Sequence, residues 1–321
     1  MTKSNLLLLG CSGFVGQAML NLIDEMEVTD FLFENIYGLS RNPKNSFGPR
    51  VTPLLCDLSK EPISCPNVEI IVHAATPASA ELNNSDPNAM FNLNIDAMSA
   101  VIDFAARQEV PPTVLFTSSG AVYTPDSDID RIETDAPVLN PSDLSFSAYA
   151  RGKIEAELML KDATLAGKCK GLIARLFAFS GTHLPRDRHF AIGNFVENAV
   201  TLKRITVRSD GSSLRSYLDE RDMAHWLLSI IDRGVPENTY HVGSERTISI
   251  RDLAFLVSAR YNLLTGDHIP VEILGQKSPI DGISRYVPST LQTRTELGLS
   301  EKISLESSID SMLYAARASR Y

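Results

Sequence analysis

Four consecutive leucines, Leu6–Leu9, open the regular part of the chain. An apolar run of that length, ended by polar residues and glycine, predicts a strand buried on both faces. Gly10-Cys-Ser-Gly13-Phe-Val-Gly16 reads as a glycine turn, after which Met19, Leu20, Leu22 and Ile23 recur at helical spacing. The alternation continues. Strands are predicted over 35–40, 51–56, 68–73, 113–118 and 171–178, and Pro53 places its strand early or at an edge. A helix over 87–108 carries Phe91, Ile95, Met98, Val101, Ile102 and Ala105 on one side, and another runs over 149–166. The pattern breaks at 180–210, a stretch rich in Gly, His, Arg and Asp. Beyond it, an extended Arg215-Ser-Tyr-Leu leads into a helix over 216–231. A strand at 239–243, a helix over 249–261, a short strand at 271–274 and small terminal helices complete the pattern.

Strands alternating with helices predict the α/β class: a Rossmann-type doubly wound parallel sheet with a smaller, interwoven C-terminal lobe. Such sheets bind ligands beyond the carboxyl ends of their strands, so Gly10, Ser40, His73 and Ser118-Ser119 are expected along one edge. A strand, a glycine turn and a helix in that order create a helix N-terminus whose N–H groups can hold a pyrophosphate. The plainer explanation is a turn that needs positive φ.

The whole-chain totals narrow the classes. The chain has 321 residues, 44% of them hydrophobic, enough for a large core. A net charge of −9 argues against nucleic-acid binding. Cysteines at 11, 56, 65 and 169 form no C-x-x-C pair and read as reduced core or loop residues. No histidine pair has metal-ligand spacing, so no metal is expected. No run is long enough to span a membrane, and glycine interrupts the N-terminal apolar run before signal-peptide length, so a soluble cytoplasmic protein is expected.

Tyr149-Ala-Arg-Gly-Lys153 places a phenol and an ammonium on one helix face. A nearby ammonium favours phenolate, and such a pair can exchange a proton with a substrate hydroxyl. Ser119, at the end of a predicted strand, can bond the same oxygen or simply cap the strand end. There is no G-x-S-x-G elbow of a serine hydrolase.

Taken together, these motifs resemble the extended short-chain dehydrogenase/reductase family, in its nucleotide-sugar epimerase/dehydratase branch. The resemblance rests on Gly10–Gly16, Cys56-Asp57-Leu58, Val72-His-Ala-Ala75, Asn94, Ser118-Ser-Gly-Ala-Val-Tyr123, Tyr149–Lys153 followed by Glu157, Arg175-Leu-Phe, Gly193-Asn-Phe195, Arg215-Ser-Tyr-Leu and Tyr240-His-Val-Gly-Ser244. It implies that residues 1–179 form an NAD(P)-binding domain to which 211–245 return, and that 180–210 and 246–321 form a substrate lobe. Gly10, Gly13 and Gly16 would cradle the pyrophosphate, with backbone contacts from Phe14 and Val15. Asp57 and Leu58 would meet the adenine, and Ala74 and Ala75 would flank the path to the nicotinamide. Tyr149 would be the general acid or base and Ser119 would bond the sugar oxygen. Lys153 would hold the nicotinamide ribose and lower the Tyr149 pKa. Asn194, Phe195, Val207 and Arg215 would grip a nucleotide-diphosphate sugar. The helices over 87–108 and 149–166 would pair in a homodimer.

Three departures from the family pattern refine this picture. NAD-preferring members carry an acid at the end of the second strand; here Ser40 and Arg41 suit a 2′-phosphate, which favours NADP over NAD. The 4,6-dehydratases carry Asp-Glu after the catalytic hydroxyl; here Gly120 and Ala121 come next, which favours hydride chemistry at one carbon. Ala178 stands where relatives often have Asn, and Arg186 or Arg188 could compensate for it. The expected function is an epimerase or ketoreductase acting at a sugar carbon, C4. A 4,6-dehydratase or decarboxylase is the alternative within the family, and a non-catalytic NADP-binding sensor the alternative outside it.

Overall fold

In the computed structural model, which describes residues 4–26, 33–41, 47–76, 79–124, 129–187, 190–276 and 284–319, the leucine run forms β1 (Ser4–Leu9). All four leucines are fully buried. The chain continues through α1 (Phe14–Glu25), β2 (Phe33–Ser40), β3 (Val51–Leu55), β4 (Ile70–His73), α2 (Ala80–Ser85), α3 (Pro87–Ala105), β5 (Thr113–Ser119), α4 (Ala148–Leu165) and β6 (Lys170–Leu176). After β7 (Phe179–Ser180) come α5 (Ala191–Thr201), β8 (Ile205–Val207), β9 (Leu214–Ser216), β10 (Leu218–Asp219), α6 (Glu220–Arg233), β11 (Thr239–Val242), β12 (Thr247–Ser249), α7 (Ile250–Thr265), β13 (Val271–Ile273), β14 (Arg285–Tyr286), α8 (Leu291–Leu297) and α9 (Leu305–Ala318).

The main sheet has seven strands in the order β11-β6-β5-β4-β1-β2-β3, and its pairs from β3 to β6 are parallel. From β1 the chain builds outward through β2 and β3, then returns to the other side of β1 with β4. That reversal is the switch point at which open α/β sheets bind ligands. The register brings the strand ends level there: Leu9 pairs with both Leu39 and His73, and His73 with Phe116. Pro53 lies in β3 at the sheet edge, where a missing N–H is tolerated. On one face of the sheet, Met98, Val101 and Ile102 of α3 join Ala156, Leu160 and Ala163 of α4 in a core over Ile71, Val114, Phe116 and Ile173. Asp86 caps α3, accepting a hydrogen bond from the Ala89 N–H, with Pro87 as its first residue.

Two compact units divide the chain. The first comprises Met1–Thr124, Asp135–Leu176 and Ala224–Tyr240; the second comprises Pro125–Thr134, Phe177–Met223 and His241–Tyr321. The third segment of the first unit, Ala224–Tyr240, falls within the 211–245 stretch. In the second unit β7 pairs with β10, β9 lies between β12 and β14, and β8 pairs with β13, while α5, α7 and α9 pack together.

Among the differences from expectation are a helix and a helix start. α5 lies inside the stretch read as irregular; its buried Ile192, Phe195, Val196, Ala199 and Val200 do have helical spacing, but Gly193 interrupts them and the helix starts without a side-chain cap. The helix expected from Ser216 begins at Glu220, because β9 and β10 take the preceding residues into strands. Among the described residues no helix is long and apolar enough to cross a membrane, and no group of three or more His, Cys, Asp or Glu side chains could hold a metal ion.

Gly10 has φ +84°, and a Cβ there would lie 2.3 Å from the Ala74 carbonyl oxygen, whereas Gly167, at φ +72°, has nothing within 4 Å. Gly10→Ala is therefore expected to destabilise the protein by at least about 2 kcal/mol, and Gly167→Ala by only about 1 kcal/mol of backbone strain. Urea denaturation of the two variants tests the difference; equal losses would show that the Ala74 contact contributes nothing.

Candidate active site

The turn after β1 leaves a helix end suited to an anion. Gly13 is the N-cap of α1 and supplies no side-chain hydrogen bond, and the first turn of α1 holds no acidic residue. A Cβ on Gly16 would stand 2.4 Å from the Gly10 carbonyl oxygen, so the turn is closed by backbone alone. Exposed N–H groups and the helix dipole make such an end a fitting seat for a pyrophosphate.

A cleft opens from this turn, and Gly10, Gly13, Ser40, Arg41, Leu58, Ala74 and Ala75 come together along it. Phe14, Val15 and Gly16 lie in α1 directly after the turn. Asp57 is turned back on its own loop: its carboxylate pairs with Lys60 at 3.0 Å and accepts hydrogen bonds from the Ser59 N–H and hydroxyl, which together hold its pKa down to about 2. Ser40 is buried and Arg41 exposed, and among the described residues no acid lines the cleft. The lining also includes Thr76, a position that sequence reasoning did not single out although it directly follows Ala74-Ala75.

At the carboxyl end of β5, Ser119 is buried; its hydroxyl accepts a hydrogen bond from the Ala121 N–H at 3.1 Å and lies close enough to the Tyr149 phenol to favour its ionised form. Tyr149 stands in the first turn of α4. Ser147 caps that helix by accepting from the Ala150 N–H, and Asn83 of α2 accepts from the Tyr149 N–H at 2.9 Å. One turn on, the Lys153 side chain is only 3% exposed. Its Nζ donates to Thr76 Oγ1 at 2.6 Å and to the Thr117 carbonyl at 2.8 Å, and stands 5.8 Å from the Tyr149 ring centre. Ser119, Tyr149 and Lys153 are thus gathered in one place.

Burial dominates the electrostatics here. It pushes the Tyr149 phenol above its ordinary value, and the hydrogen bond to Ser119 is the opposing influence. It pulls the Lys153 ammonium down to about 7, with the Glu157 carboxylate working against that fall. A lysine poised near neutrality beside a half-buried phenol is suited to proton exchange. His73 ends β4 as expected and is fully buried there: its ring stacks on Phe116 at 5.2 Å and neither ring nitrogen has a partner among the described residues.

The other candidates belong to the second unit. Asn194 and Phe195 lie on α5, Val207 ends β8, and Arg215 is the middle residue of β9. Phe195 and Val207 have buried side chains. Arg215 Nη1 donates to the Leu214 carbonyl at 2.7 Å and the Ser284 carbonyl at 3.2 Å, and its guanidinium lies 6.0 Å from the Tyr286 ring centre. Among the described residues no ion pair engages it. Arg186 contacts Glu197 at 3.6 Å and Ser319 at 3.2 Å, and Arg188 lies outside the described residues.

The seven-strand sheet with its glycine turn is a Rossmann-type α/β fold. The chain belongs to the NAD dependent epimerase/dehydratase family, which it matches over residues 6–243. It is 26% identical over 249 residues to the UDP-glucuronic acid decarboxylase 2 of Arabidopsis thaliana, a match covering 77% of this chain and 55% of that protein. It is 24% identical to the UDP-glucuronic acid decarboxylase 5 of the same plant, over 97% of this chain and 89% of that protein. The fold is that of the UDP-glucose 4-epimerase of Thermotoga maritima, solved with UDP-glucose, at TM-score 0.81 and 17% identity over 99% of this chain and 100% of that one.

Burial, and then the charge of Lys153, pull the His73 imidazole down to about 3. The unfolded chain therefore binds one more proton than the folded one between about 6.5 and 3, and stability falls as the pH drops through that window by on the order of 1 kcal/mol per pH unit. His73→Phe keeps an aromatic ring against Phe116 and removes the titration. It is expected to move the acid-unfolding midpoint, followed by circular dichroism, to lower pH; an unchanged midpoint would contradict this account.

Proposed function

We propose that this chain binds NADP in preference to NAD and transfers hydride at one carbon, C4, of a nucleotide-diphosphate sugar, as an epimerase or a ketoreductase. The observation that carries this reading is the gathering of Ser119, at the carboxyl end of β5, with Tyr149 on α4 and with Lys153 anchored one helical turn away. A bound nicotinamide dinucleotide supplies the hydride acceptor or donor. Tyr149, as the phenolate, takes the proton of the sugar hydroxyl when its carbon is oxidised, and as the phenol it returns that proton on reduction. Ser119 bonds the same oxygen and steadies its developing charge. Lys153 holds the nicotinamide ribose. Gly10, Gly13 and Gly16, with the N–H groups of Phe14 and Val15, hold the pyrophosphate; Asp57 and Leu58 meet the adenine, and Ala74 and Ala75 flank the dinucleotide. Ser40 and the exposed Arg41, in a cleft whose described lining holds no acid, support a 2′-phosphate.

In this reading the first unit is the cofactor domain and the second the substrate lobe. Asn194, Phe195, Val207 and Arg215 grip the nucleotide diphosphate, a task for which a guanidinium outside any ion pair of the described residues is well suited. Two copies pair through α3 and α4. A second reading, decarboxylation, draws support from the relatives named UDP-glucuronic acid decarboxylases. Against the dehydratase form of that alternative, the 3-10 turn Gly120–Val122 after Ser119 brings no side chain able to transfer a proton.

Incubation with NAD(P) and UDP-, dTDP-, GDP- and CDP-sugars, UDP-glucuronic acid included, decides between them by product mass and by chromatographic separation of isomers. An isomer or a simple redox product supports hydride chemistry alone, and loss of carbon dioxide or water selects the second reading. Tyr149→Phe is expected to lower turnover at least about 100-fold with NADP binding retained; normal turnover would remove Tyr149 from the chemistry. Arg41→Ala is expected to weaken NADPH binding roughly tenfold, about 1.4 kcal/mol, and to spare NADH. Equal effects on the two cofactors, measured by fluorescence titration, would remove the argument for NADP.

A further inference from the structure

One turn beyond Lys153 on α4, Glu157 is completely buried. Its Oε1 accepts from the Ser118 hydroxyl at 2.5 Å and from Arg175 Nε at 3.0 Å, and its Oε2 accepts from Arg175 Nη2 at 2.6 Å. Arg175, on β6, donates through Nη1 to the Tyr123 hydroxyl at 2.7 Å, with its guanidinium 4.7 Å from the centre of that ring. Ser118 immediately precedes Ser119. Tyr123 closes the 3-10 turn that Ser119 caps, its N–H donating to the Gly120 carbonyl. One carboxylate therefore fixes the chain on both sides of Ser119, directly through Ser118 and by way of Arg175 through Tyr123. Buried ion pairs of this kind are often matched or bettered in stability by apolar residues of similar size, so stability alone is a weak reason for having one here.

We propose that Glu157 is a positioning residue: it clamps the segment carrying Ser119 to the helix carrying Tyr149, and it supplies the negative charge that keeps Lys153 an ammonium. The inference rests on the reading of Ser119, Tyr149 and Lys153 as the reacting group. The surroundings of Lys153 leave the electrostatic task to Glu157. Tyr149 on the same helix is a neutral phenol with its pKa pushed up by burial, and His73 on β4 is neutral near pH 7. Thr76 and the Thr117 carbonyl are uncharged, and α3 presents uncharged Asn94 to the adjoining Gly152. Arg175 on β6 is spent on Glu157 itself. Burial draws the lysine toward neutrality and Glu157 opposes that fall.

The test reads Lys153 directly, in protein free of cofactor and sugar. With lysine labelled at 13Cε, the Lys153 resonance is assigned by its absence in Lys153→Arg and followed against pH. The double variant Glu157→Met with Arg175→Met replaces the ion pair by apolar side chains and is expected to fold. Its Lys153 midpoint is expected to fall by about one pH unit, a tenfold loss of the charged form at a given pH above it, and the corresponding limb of the pH–rate profile should move by the same amount. Glu157→Asp, which keeps the charge but draws it back by one methylene, is expected to give a smaller fall and serves if the double variant does not fold. An unmoved midpoint in a folded variant overturns the proposal. A shifted midpoint in a chain that turns over no nucleotide sugar upholds the hold of Glu157 on Lys153 and overturns the enzymatic reading instead.

Discussion

The first unit depends on the near-contact of two backbones where β1 and β4 end. The Ala74 N–H donates to the Leu9 carbonyl at 2.9 Å, and Gly10, left-handed, lies against the carbonyl of Ala74 with no room for a side chain. That passage lets the chain leave the sheet at once and start α1 with its N–H groups directed back over the strand ends. It also carries the Ala74–Thr76 segment to the cleft, and Thr76 is one of the two anchors of Lys153. The glycine turn and the Tyr–Lys helix are therefore linked through the end of β4 and the short Ala74–Thr76 segment, although they lie far apart in sequence.

Most of the sheet interior obeys the simple rule that apolar residues are inside. The exceptions concentrate at the carboxyl ends of the strands and on the adjoining face of α4. Lys153, Glu157, Arg175, Ser118 and His73 are all buried. Burying charge is costly unless it is paired and hydrogen-bonded, and here Glu157 and Arg175 satisfy each other while Lys153 leans on neutral oxygens. Such a departure from the packing rule at a site is where a protein gives up stability for chemistry.

The features legible in the residues were those that local spacing determines. The leucine run, the strand–glycine–helix order and Tyr149 with Lys153 on one helix face depend on periods of two and 3.6, and all stand where expected. The partners of Lys153 could not be read that way: Thr76 and Thr117 lie 77 and 36 residues away along the chain. The same holds for Ser118 and Glu157, 39 apart. α5 escaped because its local start and stop signals are weak and its packing on α7 and α9 comes from later in the chain. The Ser180–Asp210 stretch reads as loop by composition, yet tertiary packing makes part of it helix.

Pro53 marks β3 as an edge strand, and its place there has a consequence for how copies of the chain can meet. Parallel sheets grow by donor and acceptor rows on their outermost strand, and a proline removes a donor from that row. β3 is five residues long and mostly unburied, so its outer side is short as well as incomplete. The sheet thus carries its own terminator at this margin: a further strand, whether from a second copy or from a misfolded neighbour, would meet a ladder lacking a rung.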